Sequence, residues 1–363
     1  MSRIAMVTAL ISVASCGSAA YAVTLSSVRV DANVIALNAG KPIVVRFQLD
    51  ARARVELSIY DDADGLVRHV ASKDWLSPGE HDLSWDLRDD RGKAVPPDAY
   101  LYTLRARSED GSIANYDLSD VDRDAAVPVD AVKWQPETGT ITYLLQRPAR
   151  VKLRVGLQEP GPLLNTVLNM AARAAGIHEE PWDGMDASRT MDLARHAELA
   201  IVAMAYALPP NALLVGRATA IPATGAGDAD SLRPPTSSAR STRVSPWELR
   251  DYTAQLSVGT PGRASGAVTT GGPIRLRIDV PMELRSRVLG RRLEPVFFVD
   301  GRFVFENEVG FLPMTWEWTP SANEAGERLV TVNLRGYDGS FGIATVKVHV
   351  SPQDVARSGG AGQ

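Results

Sequence analysis

Apolar and polar residues alternate with a period of two along much of this chain. Val55, Leu57 and Ile59 are separated by Glu56 and Ser58, and Tyr100, Tyr102, Leu104 and Ala106 share one face of another run. That spacing places one side of an extended segment in a core and the other in water. Ile274, Leu276 and Ile278 repeat the pattern, as do residues 329–334 and 343–350. Turn residues punctuate the runs: Asp64-Gly65, Pro78-Gly79, Asp90-Arg91-Gly92 and Tyr337-Asp338-Gly339, all suited to reversing a strand. Residues 296–305 read as the clearest hairpin, with Asp300-Gly301 between aromatic-rich strands. Helical spacing is scarce and predicts one or two turns only within 163–176, from Leu164, Val167, Leu168, Ala171 and Ala172. The pattern predicts an all-β protein.

The chain also repeats itself. Residues 47–59 (FQLDARARVELSI) align with 143–155 (YLLQRPARVKLRV) at an offset of 96. At an offset of 97, Trp85-Asp86 aligns with Trp182-Asp183 and Asp89 with Asp186. One inserted residue between the blocks is the signature of duplicated units with loop drift, and self-similarity of this kind decides architecture ahead of local detail.

The first unit carries Tyr60-Asp61, Gly65, Val67-Arg68, Gly79-Glu80-His81, Trp85-Asp86, Gly92 and Tyr100-Leu101-Tyr102. Over residues 43–106 this resembles the immunoglobulin-like domain of the flagellar hook-capping protein, a module also found repeated on secreted bacterial proteins. The second unit keeps Trp182-Asp183-Gly184 but has Arg189 where Gly92 stands in the first. The resemblance implies tandem immunoglobulin-like β-sandwiches used for scaffolding, assembly or adhesion. Trp85 and Trp182 are expected in the cores, with Asp86 and Asp183 bonding backbone at the adjacent turns. The expected organisation is a signal peptide at 1–22, a first Ig-like domain at 23–125, a diverged second repeat at 126–216, a low-complexity linker with one short strand at 217–272, a third β domain at 273–351, and a flexible tail at 352–363.

The amino-terminal segment reads as an export signal: Arg3, an apolar run over 4–13, then Ala20-Tyr21-Ala22. Residues 13–16 (VASC) offer a competing lipoprotein-type site whose Cys16 would carry a lipid anchor, and both alternatives stand. Cys16 is the chain's only cysteine, so no disulfide braces the body of the protein. No later segment is apolar over the roughly 20 residues a membrane helix needs.

Candidate chemistry is sparse. The net charge is −4 with signs interspersed, which supplies no basic footprint for nucleic acid. The sequence carries no catalytic motif, and we expect neither enzyme activity nor a cofactor. Asp61, Asp62 and Asp64 suit a turn more than a calcium loop. Asp117, Asp120, Asp122 and Asp124 form an acidic stretch where two sandwiches meet; calcium there competes with a solvated acidic linker. The five histidines, His69, His81, His178, His196 and His349, lie far apart. Trp316 and Trp318 fall on one face of a segment, as core residues or as a platform for sugar rings. Glu306, Glu308 and Glu317 would matter only in a glycoside hydrolase. The leading expectation is an exported, periplasmic or surface-associated, non-catalytic protein that presents its sandwiches to another envelope protein. The alternative is a glycan-binding accessory of a polysaccharide system.

Overall fold

The computed structural model describes residues 22–31, 34–36, 41–121, 125–216, 249–259, 273–288 and 292–351. The export segment with Cys16, Asp122, Asp124 and most of the 217–272 stretch lie outside the described residues. The regular structure of the described residues is almost all strand, with one α-helical turn at Arg285–Val288 and two 3-10 turns at Met282–Leu284 and Ala322–Glu324.

The first sandwich comprises β1 (Leu25–Val30), β2 (Val34–Ala36), β3 (Ile43–Leu49), β4 (Ala53–Tyr60), β5 (Leu66–Ala71), β6 (Gly79–Trp85), β7 (Asp98–Ser108) and β8 (Ile113–Tyr116). The second comprises β9 (Ala126–Val127), β10 (Val129–Gln135), β11 (Thr140–Leu145), β12 (Ala149–Leu157), β13 (Leu163–Arg173), β14 (Gly176–Pro181) and β15 (Leu199–Ala207). Next comes β16 (Ala212–Gly216). The third sandwich follows: β17 (Tyr252–Thr253), β18 (Gln255–Val258), β19 (Ile274–Asp279), β20 (Leu293–Val299), β21 (Arg302–Glu306), β22 (Met314–Trp318), β23 (Gly326–Gly336) and β24 (Phe341–Val350).

Each sandwich pairs a three-stranded sheet with a larger one. The small sheets run β1-β3-β6, β10-β11-β14 and β18-β19-β22. The large ones run β2-β16-β7-β4-β5, β13-β12-β15-β9 and β17-β24-β23-β20-β21, with β8 also on β7. The inward positions of the alternating runs meet between them. Val55, Leu57 and Ile59 are fully buried with Phe47 and Trp85, and Val151, Leu153 and Val155 with Ile141 and Tyr143. The Tyr100 hydroxyl donates to the Pro96 carbonyl at 2.8 Å, the tyrosine-corner bond of immunoglobulin-like folds. Asp300 and Gly301 take φ values of 49° and 79°, the double positive-φ turn that matches strand twist.

Besides the start of the third sandwich, which opens with β17 and β18 inside the 217–272 stretch expected as linker and ahead of the expected boundary at 273, three sequence expectations need correction. Residues 163–173 form β13, a strand, in place of helical turns. β13 pairs with β12 through three register shifts, and each bulge adds one residue. Apolar spacing therefore drifts from two towards three, which imitates a helix. Secondly, residues 212–216, read as part of the second repeat, leave it and pair antiparallel with β7 and parallel with β2 of the first sandwich. Thirdly, Trp316 and Trp318 are only 8% and 3% exposed and lie in the core of the third sandwich. Phe297 lies 4.3 Å from the Trp316 ring centroid, so neither indole keeps an open face for a sugar.

The repeat is closest at the tryptophan turns. Trp85 Nε1 donates to Arg88 O at 2.8 Å and Trp182 Nε1 to Met185 O at 3.0 Å. Asp86 and Asp183 each accept the amide two residues on. Asp89 accepts the amides of Arg91 and Lys93, and Asp186 those of Ser188, Thr190 and Met191. Gly92 has φ +78° and its counterpart Arg189 φ +57°, so the turn keeps its left-handed residue despite the change of side chain.

Candidate functional site: a buried charge hub between the sandwiches

The inward residues of β12 match those of β4, but the outward residues part company. On β4 the outward positions Arg54 and Glu56 face solvent, whereas every residue of β12 is buried. Its outward side chains Arg150, Lys152 and Arg154 are 4%, 2% and 6% exposed. Three cations on one strand face demand partners, because an unpaired buried charge is costly.

Arg150 reaches into the first sandwich. Its Nη1 donates to Asp98 Oδ1 at 2.8 Å and to Met170 O at 3.2 Å, and lies 3.8 Å from Asp62 Oδ2. Arg250 meets the same two carboxylates, donating to Asp62 Oδ2 at 3.1 Å. Asp61 stays local, accepting the amides of Ala63 and Gly65.

Lys152 and Arg154 instead hold Asp251, at the start of the third sandwich. Arg154 binds it through two nitrogens, Nε to Oδ2 at 2.7 Å and Nη2 to Oδ1 at 2.5 Å. The Lys152 ammonium lies 3.3 Å from Oδ1 and also donates to Leu249 O. Thr166 Oγ1 donates to Oδ2 at 2.7 Å, and the Phe341 amide to Oδ1 at 2.9 Å. Asn169 clasps the Asp251 backbone twice, at 2.9 Å each way. Arg154 further donates to Gly339 O at 2.7 Å and lies over the Phe341 ring at 4.4 Å.

Burial opposes ionisation of Asp251, but the hydrogen bonds and charge of Arg154, with Lys152 and Thr166, outweigh it and hold the carboxyl below its usual value. Burial, with Arg154 adding to it and Asp251 opposing, pushes Lys152 down to about 8. The hub is therefore ionised at neutral pH, with charge-assisted bonds spanning the second and third sandwiches. Asn333 extends the junction, bonding both backbone groups of Leu163 at 2.8 and 2.9 Å. The Thr345 amide donates to Ser188 Oγ at 2.8 Å.

A cleft of about 660 Å³ lies against Asp98, Asn169, Arg173, His178, Glu180 and Arg250. Its polar groups are already engaged: Glu180 accepts from Arg173 at 2.7 and 2.9 Å and from the Tyr143 hydroxyl at 3.0 Å. Burial lifts the Tyr143 phenol well above its usual range, so it serves as a donor.

Of the residues singled out from sequence, Trp85, Asp86, Gly92, Trp182 and Asp183 form the paired turns. Asp117 accepts the Ser119 amide, and among the described residues no group of three His, Cys, Asp or Glu side chains is arranged to hold a metal. His81 and His178 take equivalent places, each with Nε2 on the carbonyl four residues back. His69 lies 3.9 Å from Glu56, and His196 accepts the Glu198 amide. Sequence reasoning missed Asp251 and the burial of Arg150, Lys152 and Arg154. The available signal was the exchange of Glu56 and Ser58 for Lys152 and Arg154 at aligned positions.

No protein-family model and no curated protein matches the chain. Among solved structures, it is similar to the fibronectin(III)-like modules of Clostridium thermocellum CbhA, at 11% identity and TM-score 0.20, over 89% of this chain and 94% of that one. It is also similar to FlgD from P. aeruginosa, at 18% identity and TM-score 0.21, over 33% and 83%. A tetra-tandem repeat from the extending region of a large adhesion protein matches at 12% identity and TM-score 0.20, over 91% and 74%. These values describe a general likeness of β modules. The strand order and sheet pairing above are what establish tandem immunoglobulin-like sandwiches.

Proposed function

We propose that this chain is an exported, non-catalytic structural protein of the bacterial envelope, whose immunoglobulin-like sandwiches, the first of hook-capping type, present their surfaces to another envelope protein. The observation that carries this reading is the use made of its buried charges. Arg150, Lys152, Arg154 and Asp251 are all committed to holding sandwich against sandwich, which fixes the relative placement of the outer surfaces. A fixed placement suits recognition of a partner that spans more than one module, because little ordering cost remains at binding. The third sandwich exposes apolar side chains at both ends of β20, Phe303 at one and Val309 and Phe311 at the other, which are 47%, 46% and 73% exposed and available to a partner.

The test is site-specific photo-cross-linking in native envelopes, with the reactive group at Phe311 and, as a control, at exposed Arg107. One discrete protein adduct at Phe311, absent at Arg107, is the expected result. Failure to form any protein adduct from positions spread over all three sandwiches would overturn the reading.

A further inference from the structure

The return of β16 to the first sandwich carries a mechanical consequence. After β8 the chain builds the whole second sandwich, then comes back to the strand edge it left. β8 pairs with residues 104–107 of β7 and β16 with residues 98–101, so the two lie end to end along one edge. Asn211, fully buried, fills the gap: its carbonyl accepts the Tyr102 amide at 3.2 Å, and its Nδ2 donates to Tyr102 O at 2.8 Å and to Ser119 Oγ at 3.0 Å. Residues 212–215 are buried throughout. Ala212 and Leu214 form a small core with Ala99, Leu101 and Leu208, against which Ala172 and Ala174 of the second sandwich rest. On its other side β16 runs parallel to β2, Leu214 opposite Val34 and Gly216 opposite Ala36.

We propose that the first sandwich carries tension along the chain while sheltering the second from it, a function that rests on reading the protein as a structural component. A pull applied before β2 and after β16 draws two parallel, neighbouring strands in opposite directions along their axes. Interstrand hydrogen bonds lie across that direction, so they are strained together and do not open one at a time. The second sandwich begins and ends on the same edge of β7. While β16 stays seated, the chain between Asp117 and Asn211 is a closed loop outside the path of the force, and Arg150 on Asp98 adds a second tie across its base.

The experiment is single-molecule extension of the full chain, with Cys16→Ser and attachment cysteines at Ala32→Cys, between β1 and β2, and Ser237→Cys, so that force enters through β2 and β16. The enclosed segment of about 95 residues is worth ~33 nm of extended chain at ~3.5 Å per residue. In the otherwise unchanged protein the ~33 nm step is expected only after the rupture that unseats β16. Adding the pair Leu101→Cys and Ala212→Cys, which face each other across β7 and β16, closes the loop covalently. The step then vanishes under oxidising conditions and returns on reduction, which assigns it. Leu214→Pro removes a ladder donor in β16 and is expected to bring the step to the front of the sequence, at lower force. A ~33 nm step preceding the β16 rupture in the unchanged protein, or an unchanged order in Leu214→Pro, overturns the proposal. Either result would leave photo-cross-linking to an envelope partner unaffected, so this inference and the partner-presenting role fail separately.

Discussion

Asp251 has more polar contacts than an ordinary surface carboxylate could use, and their value differs sharply from that of the exposed pairs elsewhere. Arg29 with Glu80 and Arg275 with Glu317 are more than half exposed and belong to a class worth ~0–1 kcal/mol. Removing one partner of a buried pair costs ~3–5 kcal/mol, because the remaining charge is stranded. Asp251→Asn is therefore expected to lower the stability of the junction by about that amount in urea unfolding, whereas Glu317→Gln stays within ~1 kcal/mol. The pH dependence has a definite sign. The folded-state pKa of Asp251 lies below its unfolded value, so its contribution is complete above about pH 4 and is lost as pH falls through the folded value. Lys152 behaves differently: its folded value of about 8 lies below the ordinary lysine value of 10.5, so the cost of burying its charge is full below pH 8 and relieved between pH 8 and 10.5. Lys152→Met should flatten that alkaline rise, and Asp251→Asn the acid fall, in unfolding curves taken across the range. Arg189 gives a third expectation. A left-handed non-glycine residue costs ~1–2 kcal/mol, while its exposed pair with Asp183 returns less. Arg189→Gly should raise the melting temperature, and a fall would show that the turn depends on the guanidinium.

Much of this was legible at the level of strands, and the failures have identifiable causes. Period-two alternation located β4, β7, β19 and β24 because one face of each meets a core. The same rule says nothing about what covers the other face, so Arg150, Lys152 and Arg154 read like ordinary solvent-facing residues until the neighbouring sandwiches are in place. β13 escaped because its three bulges destroy the alternation on which strand recognition depends. Trp316 and Trp318 were correctly placed on one face, and only burial decides between core and platform. Asp251 stands just beyond a low-complexity stretch, where no local pattern announces a buried anion. β21 illustrates a further point that alternation does not reveal. It is an edge strand, exposed at all five residues, with Phe303, Val304 and Phe305 between 39% and 47% exposed. Apolar edges invite pairing with other chains, and bulges suppress it; here the register shift against β20 leaves Val304 without an opposite residue. Deleting Val304 should regularise the edge and produce concentration-dependent self-association in sedimentation velocity, while the unaltered protein stays at constant mass.

At the scale of the molecule, three sandwiches of similar plan are joined by unlike means. The first two are joined by the return of β16 to β7, a small apolar core and the Arg150 contact; the second and third share the Asp251 hub and the Asn333 clasp. A returning strand couples folding more tightly than side-chain contacts do, since β16 cannot be lost without opening both the edge of β7 and the small core against the base of the second sandwich. Calorimetry should show the first two sandwiches melting in one transition, and Asp251→Asn should move the third to a separate, lower one. Independent melting of the first and second in the unaltered chain would contradict that coupling.

The buried face of β12 also bears on how the protein can be taken apart. A fragment ending near residue 125 would leave the β7 edge bare where β16 belongs, and one spanning 126–207 would set Arg150, Lys152 and Arg154 side by side in water with no carboxylate opposite. The first would tend to associate through its open edge, and the second would take up whatever anion was present, so a ligand found with either piece alone would report the cut and not the protein.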